Sequence, residues 1–111
     1  MITRYRAEIE QITRSFSDAP DLLEFWHNTL QTEYDSRGIH PTHSKAKEAI
    51  DSALISLLKQ FPQTNSQIMN LTYNYCLLYD SLPSQELLSA LKAENQEQER
   101  ELRFLELALI T

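Results

Sequence analysis

The sequence predicts an all-α fold: a small helical bundle of four core helices followed by a long C-terminal fifth helix. Three observations carry that expectation. Apolar residues recur at spacings of three and four along nearly the whole chain, the period of helices buried on one face. A single glycine and four prolines leave little material for the tight turns that β-hairpins need. The 111 residues are 41% hydrophobic and 23% charged, within the globular range, and are enough for one domain with its own core.

In the first helix, Ile2, Tyr5, Ile9, Ile12 and Phe16 form one stripe, with Arg4, Glu8, Gln11 and Ser15 opposite. It should stop near Ser17, because Pro20 disfavours continuation. Asp18 is placed to cap the second helix, and Asp21 lies in its first turn. Leu23, Trp26, Leu30 and Tyr34 line the buried side of that helix, with Leu22 and Phe25 flanking. Gly38 follows where a left-handed terminator is expected. After an irregular loop at 39–43, Thr42 or Ser44 caps the third helix. Its Ala46, Ala49, Ile50, Ala53, Leu54, Leu57, Leu58 and Phe61 make a wide apolar face, and the alanines admit a neighbour closely. Pro62 ends it.

Thr64 and Gln67 have capping-box spacing at the start of the fourth helix. Ile68, Leu71, Tyr75, Leu78 and Leu82 form its seam, beside Met69, Cys76 and Tyr79, with Asn70 and Asn74 as a polar edge. No charge occurs between Gln60 and Tyr79, so this helix is expected at the centre of the bundle. Pro83 stops it, and Ser84 caps the fifth. There Leu88, Leu91, Asn95, Gln98, Leu102, Leu105 and Leu109 make a heptad seam with a polar centre. Two readings compete for 84–110: a break in the almost wholly polar stretch 92–101 that folds the tip back onto the bundle, or an unbroken helix about 40 Å long whose tip lies outside it. Strong helix formers and the absence of glycine and proline favour the unbroken helix. Residues 1–111 are read as one domain, with a bundle core over 1–82 and a C-terminal helix over 84–110 that extends or folds over.

The tip carries the functional expectation. Leu102, Phe104, Leu105, Leu107, Leu109 and Ile110 are too many apolar groups for one stripe, so this end should meet something on more than one face. The reading is a non-enzymatic, acidic interaction module, an adaptor, regulator or inhibitor. Its partner is another protein or a second copy of the chain in a homodimer. A net charge of −6 disfavours nucleic acids and anionic membranes. Cys76 is the only cysteine, so no intrachain disulfide forms, and its apolar surroundings suggest an inert thiol. The first residues lack the apolar stretch of a signal peptide, and no window holds about eighteen apolar residues. A cytoplasmic location is therefore expected.

No cofactor or metal is expected. His40 and His43, with Asp35 or Glu33 nearby, lack further ligands at recognisable spacing. Glu24-Phe25-Trp26-His27 is half of the motif that di-iron bundles use twice. No pair of carboxylates stands out as buried. Arg37 and His43 fit an Arg-x(4–6)-His pattern, which resembles the catalytic signature of HEPN-type ribonucleases, themselves small all-helical domains. That resemblance implies a pair binding and cleaving an RNA phosphodiester. In that family the pair lies on a helix, whereas here Gly38 and Pro41 intervene. A HEPN-like ribonuclease or metal-dependent hydrolase built on Arg37, His40 and His43 is the enzymatic alternative.

Overall fold

An apolar face with alanines spaced along it lets neighbours close in from several directions, and α3 (His43–Gln60) is the helix that has one. Ala46, Ala49, Ile50, Ala53 and Leu57 are all fully buried. Around it stand α1 (Thr3–Ser15), α2 (Pro20–Ser36), a short 3-10 turn (Pro62–Thr64), α4 (Asn65–Tyr79) and α5 (Gln85–Ala90), all in contact with α3. The last helix, α6 (Gln96–Ile110), rests on α4 and α5. The computed structural model describes residues 3–38 and 43–110, the side chains at 3–5, 43, 44 and 79 excepted. Among the described residues the fold is all-α.

Trp26 and Leu30 on α2 face α3 as their spacing predicts, and the Trp26 indole donates to the Thr13 hydroxyl of α1 at 3.0 Å. Phe25 meets Phe61 edge-on at 5.5 Å, closing the far end of the α2–α3 pair. Gly38 has φ +104°, the left-handed conformation expected where α2 ends. Ser84 caps α5 as expected, its hydroxyl accepting from the Leu87 N–H at 3.1 Å. The Thr42 or Ser44 cap of α3 falls outside the described residues and side chains.

Four local expectations are corrected. Asp18 does not cap α2: Pro20 is its first residue, Ala19 precedes it, and no side chain caps it. Thr64 and Gln67 form no capping box, because the 3-10 turn runs directly into α4. The Thr64 hydroxyl instead donates to the Phe61 carbonyl, and the Gln67 amide donates to the Ser15 carbonyl at the end of α1. Helix α4 is not the central one. Its buried stripe is Ile68, Met69, Thr72, Tyr75 and Cys76, whereas Leu78 is 68% exposed. Absence of charge is not apolarity: Gln67, Asn70 and Asn74 turn away from the core, and Asn74 donates to Asn70 across the outer surface.

The fourth correction is the largest. The long fifth helix is two helices. At Leu91 the backbone turns extended, with ψ 145°, and helix resumes only at Gln96. Side chains hold the break. Buried Asn65 of α4 grips the Lys92 backbone from both sides, accepting its N–H at 2.9 Å and donating to its carbonyl at 2.7 Å. Asn95 Oδ1 accepts the Gln98 N–H at 2.9 Å, and the Gln98 side-chain oxygen Oε1 accepts the Glu94 N–H at 2.8 Å. This resembles a capping box at Asn-x-x-Gln spacing, with the return bond falling one residue before the cap. Gln98 and Glu94 both bond the Ser66 hydroxyl. The result lies close to the globule. The longest extent of the molecule is 39 Å and its radius of gyration 13.4 Å, against about 13 Å for a compact chain of this length.

These placements set a stability contrast. Leu57→Ala empties a fully buried site on α3 and should cost about 2–5 kcal/mol in a urea titration. Leu78→Ala removes an exposed side chain and should change stability by less than about 0.5 kcal/mol. Equal losses would return α4 to the centre.

Candidate interaction surface

Helices α4 and α6 run side by side in the same direction. Ser66 lies beside Gln98 near their starts, and the Tyr73 and Phe104 rings meet edge-on at 5.6 Å halfway along. Three of the expected tip residues turn inward. Leu105 is fully buried with Cys76 and Leu88, and Leu102 and Leu109 pack against that cluster. Their availability as surface contacts is corrected on that ground: they complete the chain's own core. The other three, Phe104, Leu107 and Ile110, are 43%, 57% and 80% exposed.

With Leu77, Leu78 and Leu82, those three account for all the large apolar side chains found exposed among the described residues. They belong to α4, the loop after it, and α6; the described side chains of α1, α2 and α3 contribute none. Helical spacing sets Leu77 one turn beyond Tyr73, on the side of α4 that faces α6. Leu78 points the other way, into a cleft it lines with Ala7, Glu10, Gln11, Arg14 and Ser15.

Sequence reasoning missed a second feature, a buried charge cluster. The Lys47 ammonium lies 2.9 Å from Glu8 Oε1 and 3.3 Å from Asp51 Oδ1, and 5.6 Å from the centre of the Tyr75 ring. Asp51 Oδ2 accepts the Ser84 N–H at 2.7 Å. Glu8 and Asp51 are only 4% and 2% exposed, so the face of α1 assigned to solvent is in part buried, and a buried carboxylate pair does exist. Part of the signal was available. Lys47 and Asp51 are four residues apart, in line with Leu54 and Leu58 on the apolar face of α3.

Burial and charge compete at Lys47 and Asp51. Burial opposes the charge on Lys47, but Asp51 and then Glu8 outweigh it and hold its pKa above the ordinary 10.5. Burial pushes the Asp51 carboxyl above 3.8, against the pull of Lys47 and the Ser84 N–H. Burial also raises the Tyr34 phenol, with Glu8 adding to the effect. The Cys76 thiol is raised by burial, then by Asp80, which keeps it protonated and poorly nucleophilic.

Arg37 joins the end of α2 to α3. Its guanidinium donates to the Glu33 carbonyl and carboxylate and to the Ser36 and Ser52 hydroxyls, and lies 3.9 Å from Glu48. His40 and the His43 side chain, the other members of the enzymatic alternative, fall outside what is described. Glu24 and His27 both lie on the solvent face of α2. Among the described residues no group of three or more His, Cys, Asp or Glu is arranged to hold a metal ion, and no helix is long and apolar enough to cross a membrane. Comparison with protein-family models, curated proteins and solved structures finds no match to this chain.

The charge cluster makes its own prediction. Lys47→Met leaves two buried carboxylates without their cation and should cost about 3–5 kcal/mol at neutral pH. The deficit should shrink as pH falls into the carboxylate range, because protonation removes the buried charge. The wild type behaves differently at high pH. The pKa of Lys47 is raised on folding, so its contribution is complete below 10.5 and is lost as pH climbs through the raised value. Urea titrations of both proteins across pH check this; a Lys47→Met deficit independent of pH would refute it.

Proposed function

We propose that the chain is a non-enzymatic protein-interaction module whose docking surface is the outer face of α6 with the adjoining end of α4. One observation carries this reading: of the six large apolar side chains exposed among the described residues, Phe104, Leu107 and Ile110 are on α6 and Leu77 is on the side of α4 that faces it, whereas Leu78 turns toward α1. Scattered surface leucines need no explanation, but apolar exposure gathered on one side of a small acidic domain marks a contact region. Phe104, Leu107 and Ile110 occupy successive turns of α6, the spacing with which one helix presents anchors to a partner. The acidic surface elsewhere keeps the domain from associating indiscriminately and favours a partner with basic groups around an apolar centre.

The test uses side chains whose replacement leaves the core alone. Leu107→Glu with Ile110→Glu should leave the thermal melt unchanged. Proteins captured by the wild type from its native host, and shown to bind it directly once purified, should bind the double variant at least tenfold more weakly. Equal binding by wild type and variant would refute the reading.

A further inference from the structure

The break between α5 and α6 is imposed on a segment whose residues favour helix. Lys92, Ala93 and Glu94 are good helix formers, and neither glycine nor proline occurs from Ser84 to Ile110. The non-helical conformation at 91–95 is held by side chains: Asn65 on the Lys92 backbone, the Asn95–Gln98 cap, and Ser66 with Glu94 and Gln98. Local preference and tertiary structure therefore conflict at this point.

The residues on either side are already in register for the alternative. Leu88, Leu91, Asn95, Gln98, Leu102, Leu105 and Leu109 alternate spacings of three and four straight through the break. If 91–95 became helical, α5 and α6 would merge into one rod with a single continuous stripe. That rod would carry α6 away from its own α4, leaving the seat lined by Tyr73, Cys76 and Leu88 open. The seat is complementary to Leu102, Leu105 and Leu109, and a second copy presents the same three residues. The packing that α6 gives up within its own chain is rebuilt between two chains, and the new helix at 91–95 is added to it.

We infer that the chain forms an exchanged dimer, in which the break straightens and each α6 occupies the other copy's seat on α4 and α5. Exchange of an identical element needs no new surface, and a short connector held against its own preference favours it. The inference shares with the preceding reading only the idea that α6 associates. It makes the partner a second copy and does not use the exposed Phe104, Leu107 and Ile110.

Three variants test it, read by light scattering during size exclusion at millimolar protein. Asn95→Ala removes an exposed cap that the bent form needs and the rod does not. It should raise the dimerisation constant roughly fivefold for each chain. Ala93→Pro disfavours a continuous rod from within the non-helical segment and should hold the protein monomeric. Ser66→Cys with Gln98→Cys puts one thiol on each side of the α4–α6 contact, to be joined by a short bis-maleimide. Crosslinked in the dimer fraction, it should give chains linked in pairs under denaturing conditions. The inference is overturned if Asn95→Ala stays monomeric, if Ala93→Pro dimerises as readily as the wild type, or if the crosslinks form only within chains. Leu107→Glu with Ile110→Glu should leave the exchange intact, so loss of partner binding and loss of exchange are separately visible.

Discussion

The burial of α3 is the constraint to which the other elements answer. A helix enclosed on so many sides keeps charges only if the enclosing elements bring partners to them. Lys47 and Asp51 are those charges, and their mutual contact does not suffice. Glu8 arrives from α1, and the Ser84 N–H from the start of α5. Both supply register as well as charge. Turning Glu8 inward brings Ile12, one turn further along α1, into the core with it. Holding Ser84 against Asp51 fixes where α5 begins, and so delivers Leu87 to the main core and Leu88 to the smaller cluster beside α6. The apolar and ionic contacts of α3 specify one arrangement together.

What was legible in the sequence follows from what is local. The apolar face of α3, the burial of Trp26 and Leu30, the turn at Gly38 and the cap at Ser84 depend on residues within a few positions of one another, and period and turn chemistry report them. The central place of α3 is different. An uncharged run from Gln60 to Tyr79 looks like a core helix, yet amides and exposed leucines give α4 an outer face, while α3 carries charge and is buried. The charge cluster spans α1 to α3, and the Glu8–Lys47 contact joins residues 39 apart. Only packing reveals such a pair; the four-residue spacing of Lys47 and Asp51 was the visible half.

Asn95 and Gln98 show how one pattern supports two structures. At heptad positions they read as the polar centre of a continuous seam. Three residues apart, they are also a helix cap, and the structure uses them so. Propensity favours the first reading. The deciding contact is Asn65 on Lys92, which lies 27 residues away in the chain and is invisible to any local pattern.

The split of the tip residues is forced by helix geometry. Successive residues on a helix are about 100° apart, so a helix resting on one side cannot turn six large apolar groups out of nine residues toward it. With Leu102, Leu105 and Leu109 directed at Cys76 and Leu88, Leu107 and Ile110 must point outward, and Phe104 reaches only the edge, against Tyr73. Exposure here does not depend on where the break falls. A straight helix with the same seam would present the same three side chains. One face of α6 therefore completes the core, while its second apolar face, Phe104, Leu107 and Ile110, stays 43%, 57% and 80% exposed.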